Sequence, residues 1–225
     1  SILINAYGAL AGMTSAGGLN GSGVLFRFDP VAGVITKMQD FDDVAMGRTP
    51  FGSLMQASNG KLYGVTSAGG LNNNGVIFEL DFLSNTFVKK FDFAIIIDGG
   101  YPYGSLIHAS DGKLYSNTTY GGTNDFGVMF RLNPSDLLFE KLLDYNDIGN
   151  GSYPVGQLLE TAGGNFYGLT YGGGTYSKGT LYEYNSVSGI YTVKRHLDSA
   201  TTGSMPYGGL IETSAGNLYG MTSYG

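Results

Sequence analysis

The sequence predicts an all-β protein built from four-stranded antiparallel sheets, and three observations support this fold class. A glycine-aromatic motif, N-G-K-L-Y-G-V-T-S-A-G-G at 59–70, returns at 111–122, at 163–174 and from residue 215, with an altered copy at 7–18. Successive copies are 52 residues apart. Glycine fills 38 of 225 positions, against roughly 7% in average proteins, and aromatic residues fill 13%. This composition is typical of short strands joined by tight turns.

Each repeat contains four predicted strands. The first spans about 53–58, and Asn59-Gly60 predicts a hairpin turn into the second, at about 61–67. The third, V-I-F-E-L at 76–80, is apolar on both faces, and the fourth, at 86–93, is more polar, as suits an outer edge. A proline suits the start of a strand because it lacks an N–H. The repeats therefore begin at Pro50, Pro102, Pro154 and Pro206.

A sheet with two apolar faces must stack against copies of itself. Four strands in 52 residues are close to the blade of a β-propeller, which takes about 40–50 residues. The sequence thus predicts a single β-propeller repeat domain over residues 1–225. The expected column of five threonines supports the same repeat: Thr14, Thr66, Thr118, Thr170 and Thr222.

The repeat count leaves one hairpin over. Residues 1–17 occupy the same phase as 209–225, so the chain holds four full repeats plus an extra hairpin. Three interpretations of this count remain open. The chain forms four closed blades with a surplus hairpin, or five blades of which one is half built, or a piece of a longer array. A half-built blade would leave an unpaired sheet edge, and such edges recruit other chains. Self-association is therefore expected.

Composition argues against several classes of function. The net charge is −6 without a basic stripe, so nucleic acid and anionic membranes are poor partners. The longest run of large aliphatic residues, at 95–97, is far short of a membrane span. The absence of cysteine excludes disulfides, thiolate metal ligands and a cysteine nucleophile. We expect no cofactor and no metal site.

A family resemblance rests on the run G-x-L-Y-G-x-T-x-x-G-G-x-x-x-x-G-x-x-F, at 60–78. It resembles the GloVer tandem repeat of exported bacterial proteins and also kelch blades, although the chain lacks Trp and has Ala11 where Tyr is expected. The resemblance implies a propeller in an extracellular or cell-surface setting and no particular reaction. The expected role is a non-enzymatic scaffold for binding or self-assembly, with itself, a glycan or a surface protein as partner. Alternatives are a lectin-like glycan-binding propeller and a glycan-active enzyme.

Carboxylates are the candidates for that enzyme, because a glycosidase needs two of them beside a cleft. Glu160 and Glu212 share one column of the repeat, while Asp42, Asp43 and Asp98 lie in variable loops. Turn formation and solvation are the favoured interpretation of these residues, so no catalytic residue is assigned.

Histidines and asparagines offer weaker signals. His108 and His196 fall in different columns, which favours strand histidines over a metal site or a catalytic triad. The amide and carboxylate oxygens at 72–74, Asn124 and Asp125 could bind calcium, but no EF-hand loop is present and turn formation is favoured.

Aromatic residues give the candidate ligand site. Tyr120, Tyr171 and Tyr224 precede glycine pairs, where rim rings could stack on sugars. A second column favours packing between blades: Tyr63, Tyr115, Tyr167 and Tyr219.

Modification is a further expectation. Three N-x-[ST] triplets begin at Asn20, Asn117 and Asn150, and Ser199 is an O-linked candidate by resemblance to exported bacterial glycoproteins.

Overall fold

The computed structural model describes residues 2–4 and 8–225; residues 1 and 5–7, which belong to the predicted first hairpin, lie outside it. Four sheets, here called blades 1 to 4, follow one another along the chain. Blade 1 contains β1 (Ile2–Ile4), β2 (Leu10–Met13), β3 (Val24–Asp29) and β4 (Val34–Asp40). Blade 2 contains β5 (Met55–Gln56), β6 (Leu62–Thr66), β7 (Val76–Asp81) and β8 (Thr86–Asp92).

The remaining strands repeat this arrangement. Blade 3 contains β9 (Ile107–His108), β10 (Leu114–Thr118), β11 (Val128–Leu132) and β12 (Phe139–Asp144). Blade 4 contains β13 (Leu159–Glu160), β14 (Asn165–Thr170), β15 (Thr180–Asn185) and β16 (Tyr191–His196). The fifth hairpin consists of β17 (Ile211–Glu212) and β18 (Leu218–Tyr219). One helix, α1 (Ile95–Asp98), is present in the described part of the chain.

Each blade is an antiparallel meander with its strands in chain order. The predicted four-stranded repeat and the additional hairpin are confirmed. In every blade the pairing of the third and fourth strands contains a bulge, in blade 2 between Ile77 and Phe78. A bulge increases local twist, so its recurrence gives the four blades the same curvature.

The first strands are shorter than the six residues expected for each. In blade 2, β5 has two residues, because the segment before it approaches the next blade instead of extending the sheet. The backbone N–H of Ser53 donates to Ser105 Oγ at 2.7 Å. A Cβ added to Gly104 would lie 2.8 Å from the carbonyl oxygen of Gly156 in the following blade. Glycine is therefore needed where successive first strands converge.

The hydrophobic core lies between the blades. Tyr63 and Ile77 of blade 2 pack with Leu114 and Phe130 of blade 3, and all four side chains are fully buried. Phe139 on the outer strand of blade 3 stacks on Phe91 with ring centroids 4.2 Å apart. Equivalent clusters join blade 1 to blade 2 and blade 3 to blade 4. Both faces of a blade are thus apolar, as the repeat pattern predicts.

The threonine column closes the glycine loop of each repeat. Thr66 Oγ1 donates to the carbonyl of Ala68 at 3.0 Å and accepts from the N–H of Val76 at 3.1 Å. Thr118 makes the same two contacts in blade 3. A hydroxyl with both a donor and an acceptor role is stable away from water, which explains a threonine at this position in the four blades.

Candidate ligand-binding face

The three tyrosines selected from the sequence lie on the glycine loops, but they occupy two columns. Tyr120 and Tyr224 are equivalent, and their backbones pair with Gly100 and Ser204. Tyr171 stands one position earlier in its repeat, and its N–H donates to the carbonyl of Tyr153 at 3.1 Å. The glycine pairs alone did not reveal this offset.

Tyr120 and Tyr171 belong to a larger group of aromatic rings. The ring of Tyr120 lies 5.3 Å from that of Tyr153 and 5.9 Å from that of Tyr101, while Tyr171 lies 5.4 Å from Tyr207. These separations are those of favourable aromatic pairs. We call the group the tyrosine face, and its members are Phe51, Tyr101, Tyr103, Tyr120, Phe126, Tyr153, Tyr171 and Tyr207.

Tyr103 forms a further ring pair of this face. Its ring lies 5.4 Å from that of Phe51. Burial raises the pKa of its hydroxyl, and the nearby hydroxyls of Tyr120, Tyr207 and Tyr101 raise that pKa further. Ring pairs thus form between successive repeats: Phe51 with Tyr103, Tyr101 with Tyr120, and Tyr171 with Tyr207. Tyr224 is 63% exposed and makes no ring contact with this face among the residues described.

The residues that flank the repeat prolines supply most of the face. Tyr101 precedes Pro102 and Tyr103 follows it, while Tyr153 and Tyr207 hold the corresponding positions beside other prolines. Sequence reasoning missed them because they lie outside the glycine motif. An alignment of the four proline positions would have found Phe51, Tyr103 and Tyr207 in one column.

Backbone strain fixes two of these tyrosines. Tyr101 and Tyr153 have φ values of 56° and 55°, and each precedes a proline, where an extended conformation is preferred. Such conformations cost on the order of 1–3 kcal/mol. The N–H of Tyr101 donates to the carbonyl of Asn74 in blade 2, and its own carbonyl accepts from Thr119 in blade 3. These two bonds join adjacent blades and hold the strained residue in place.

Two carboxylates lie beside Tyr153. Asp125 Oδ1 accepts from the N–H of Gly121 at 2.9 Å, and Asp147 Oδ1 accepts from Ser152 Oγ at 3.0 Å. In the described part of the chain neither Oδ2 atom has a hydrogen-bond partner. Burial raises the pKa of the Tyr153 hydroxyl, and the negative charges of Asp125 and Asp147 raise it further. The face thus combines aromatic rings with hydrogen-bond acceptors.

The two glutamates considered as the acid and base of a glycosidase lie in different surroundings. Glu160 accepts from both the N–H and the hydroxyl of Ser110, which anchors its carboxylate to blade 3. Glu212 lies on the exposed fifth hairpin. His108 and Glu160 line a groove of about 520 Å³ along the first strands, where His108 Nε2 is buried without a partner. Among the described residues His108 and Glu160 form no ion pair with each other.

The loop carboxylates and His196 have local structural roles. Asp42 accepts from the N–H groups of Ala45 and Met46. Asp98, whose pKa is raised by burial, accepts from the N–H of Ala94. His196 Nδ1 accepts from the N–H of Thr175 at 3.1 Å. Three aspartates accept the same loop contact in the other blades: Asp40, Asp92 and Asp144.

The asparagines considered as calcium ligands form hydrogen bonds that stabilise the glycine loops. Asn72 and Asn124 donate to the carbonyls of Phe93 and Tyr145, and Asn73 accepts from the N–H of Gly69. Within residues 2–4 and 8–225, no group of three or more His, Cys, Asp or Glu side chains could hold a metal ion. No helix in the same residues is long and apolar enough to cross a membrane.

The modification candidates differ in accessibility. Asn117 is 3% exposed and bonds to the hydroxyls of Tyr145 and Tyr182, so its amide is unavailable in the folded chain. Asn20 and Asn150 donate to the carbonyls of Phe41 and Asp144, respectively. Ser199 lies on an exposed loop. Modification at Asn20, Asn150 and Ser199 stays a prediction.

Successive four-stranded blades that share one type of interface define a propeller-type repeat protein. The chain belongs to the Gloeobacter/Verrucomicrobia repeat family, which matches residues 1–150 and 98–225. This match confirms the resemblance to the GloVer repeat. The resemblance to kelch blades stays a prediction. No curated protein sequence matches the chain.

Solved structures agree on the fold at low sequence identity. TolB from Acinetobacter baumannii is 12% identical with a TM-score of 0.54, over 82% of this chain and 40% of that chain. A nidogen/laminin complex is 13% identical with a TM-score of 0.60, over 98% of this chain and 70% of that chain. A puromycin hydrolase is 11% identical with a TM-score of 0.58, over 96% of this chain and 32% of that chain. The chain thus spans less than half of the TolB and hydrolase chains, and the likeness shows the fold alone.

Proposed function

We propose that the chain is a non-enzymatic, exported scaffold of the cell surface that self-assembles through the two ends of its blade stack. The export and surface setting rests on the family resemblance. The non-enzymatic role is supported by the local contacts of Glu160, Asp42 and Asp98, whose carboxylates accept structural hydrogen bonds within their own loops or from a neighbouring blade. The observation that carries assembly is the exposure of two apolar faces.

One of these faces belongs to the fifth hairpin, and we call it the trailing face. It consists of Ile211, Tyr219 and Met221, which are 65%, 57% and 82% exposed. Their equivalents in blade 2 include Tyr63 and Val65, which are fully buried against blade 3. The trailing face thus has the composition of an internal interface without the neighbouring blade.

The opposite face belongs to blade 1, and we call it the leading face. It consists of Leu10, Phe26, Phe28 and Ile35; the first three are half-buried and Ile35 is 67% exposed. The equivalent of Ile35 in blade 2 is Phe87, which stacks on Phe78 with ring centroids 4.8 Å apart. The leading face therefore corresponds to the surface that receives the preceding blade.

We expect a trailing face on one copy to fit a leading face on another, because the equivalent faces of successive blades pack together within the chain. Because the two faces differ, the contact is heterologous and repeats head to tail unless it closes into a ring. Burial of large apolar side chains from water supplies the driving force. The expected product is an oligomer or a fibre.

Light scattering across a dilution series tests this proposal. We expect wild-type chain to exceed the monomer mass of 23.8 kDa at high concentration and to dissociate on dilution. Met221→Lys and Ile35→Lys each place a charge in one face, so each variant alone should stay monomeric. An equimolar mixture keeps one intact face of each kind and should form a dimer that grows no further.

Val187→Lys is the matched control, because Val187 is 94% exposed in a turn away from both faces. It should associate like the wild type. A wild-type chain that is monomeric at every concentration contradicts the assembly proposal, as does an equal loss of association in the Val187 variant.

A further inference from the structure

We propose that the tyrosine face binds a neutral glycan, with sugar rings stacked on its exposed aromatic side chains and sugar hydroxyls donating to Asp125 and Asp147. This inference goes beyond assembly, since the face is distinct from the leading and trailing faces.

The tyrosines fall into two groups according to whether their hydroxyl forms a hydrogen bond to protein. Within the blades, Tyr63 donates to Glu79 at 2.6 Å, Tyr115 to Asp111 at 2.8 Å and Tyr145 to Asn117 at 3.0 Å. The tyrosines of the face form no hydroxyl hydrogen bond to protein among residues 8–225, and none of their hydroxyls is buried without a partner. Their hydroxyls are therefore directed to solvent and available to a ligand.

The rings are exposed and yet held in place. Phe51, Tyr120 and Tyr207 are 54%, 40% and 67% exposed. Tyr101 and Tyr153, which contact Tyr120, are held by backbone hydrogen bonds between blades despite their strained backbones. A rigid aromatic surface loses little conformational entropy when it binds a ligand. Contiguous exposed apolar patches of this kind mark interaction sites.

Charge selects among ligands that stack on aromatic rings. The carboxylates of Asp125 and Asp147 place negative charge beside Tyr153, which disfavours phosphate-bearing ligands such as nucleotides. The open Oδ2 atoms of Asp125 and Asp147 are acceptors, and a sugar offers many hydroxyl donors beside the flat C–H surface of its ring. Proline-rich peptides also bind aromatic grooves, but they have no N–H on proline to donate to these carboxylates. A neutral polysaccharide uses both features.

The convergence of rings from several repeats favours a chain of sugars over a single sugar. Phe51 and Tyr103 come from successive repeats, as do Tyr101 and Tyr120. Separate rings can each stack on one residue of a polysaccharide, so affinity should grow with glycan length.

Affinity electrophoresis of the full chain tests the proposal, with hydroxyethylcellulose, xylan, galactomannan and laminarin as probes in separate native gels. At least one polysaccharide should retard the wild-type chain. Tyr120→Ala and Tyr207→Ala should each weaken that binding about tenfold, the loss for an interaction of about 1.4 kcal/mol. Asp147→Asn should weaken it less, because an amide keeps one acceptor and Asn tolerates the positive φ of 64°.

Tyr176→Ala is the control, since Tyr176 is 57% exposed outside the face. It should bind like the wild type, and circular dichroism should show each variant to be folded. Failure of all four polysaccharides to retard the wild type overturns the proposal, and so does an equal loss in the Tyr176 variant. Displacement of the polysaccharide by polyproline would assign the face to peptides instead. Met221→Lys should retain polysaccharide binding, which separates this result from the outcome of the assembly test.

Discussion

Tyr115 and Tyr219 occupy the same position in the repeat, yet Tyr115 is fully buried and Tyr219 is 57% exposed. Blade 3, which contains Tyr115, lies between two other blades and packs against both. Within residues 2–4 and 8–225, no further blade follows the fifth hairpin, which contains Tyr219. The repeat therefore encodes an apolar interface on each face of a blade. The side chains of that interface are buried only where a neighbouring blade packs against them.

This difference means that equivalent substitutions should have unequal effects. A substitution in an interior blade removes contacts that are present in the folded chain. The equivalent substitution at an end of the stack removes only contacts that an added neighbouring blade would make. The 52-residue repeat provides a matched control for nearly every substitution.

The largest effect is expected at the core phenylalanine of the third strand. Phe130 is fully buried and contacts Phe93 and Phe139, with ring centroids 5.3 and 5.2 Å away. Phe130→Ala should lower the free energy of unfolding by about 3–5 kcal/mol. Its equivalent Phe26 is half-buried at the leading face, so Phe26→Ala should cost about 1 kcal/mol. Urea denaturation followed by circular dichroism measures both, and equal losses would contradict the distinction between interior and end.

A smaller effect is expected where the first strands converge. A Cβ on Gly104 meets the backbone of blade 4 at 2.8 Å, whereas one on Gly208 meets nothing within 4 Å. Gly104→Ala should lower the free energy of unfolding by about 1–3 kcal/mol, as overpacking does. Gly208→Ala should change it by less than about 0.5 kcal/mol. Thermal unfolding of the two variants gives the comparison. If Gly208→Ala proved as costly, the open end would have to be closed in solution.

Local signals in the sequence were sufficient for the strands. Asn59-Gly60 predicts the turn between β5 and β6, and the alternation at 76–80 predicts a strand that is apolar on both faces. The threonine column was visible, although its hydrogen bonds were not. The variable loop gave no sign of α1, whose sequence I-I-I-D lacks a helix cap. The length of the first strands was overestimated, because the segment before each strand approaches the next blade. That approach is a tertiary contact, which the local sequence does not show.

The candidate site was only partly predictable, because it is assembled from residues far apart in the chain. Tyr120 and Tyr171 were selected for their place before glycines, and both belong to the tyrosine face. Tyr103 and Tyr207 join them only because successive blades bring their proline segments together. A one-dimensional pattern cannot show which columns meet in space. It also cannot show which of the equivalent residues in the repeats are buried, since burial depends on the neighbouring blade.

The smallest expected effect concerns the interior tyrosine column and depends on pH. Burial and the hydrogen bond to Glu79 raise the pKa of Tyr63 to about 12, against 10.0 for an unperturbed tyrosine. The folded state therefore holds this proton more tightly than the unfolded state, and the resulting stability is present below pH 10 and is lost as the pH rises through about 12.

Tyr63→Phe removes both the hydrogen bond and the ionisable group. At pH 7 it should lower the free energy of unfolding by about 1 kcal/mol. The difference from the wild type should narrow as the pH rises from 10 to about 12, because the wild type then loses the same contribution. Urea denaturation at a series of alkaline pH values measures this convergence. A difference that stays constant, or widens, over that range would show that folding does not raise the pKa of the Tyr63 hydroxyl.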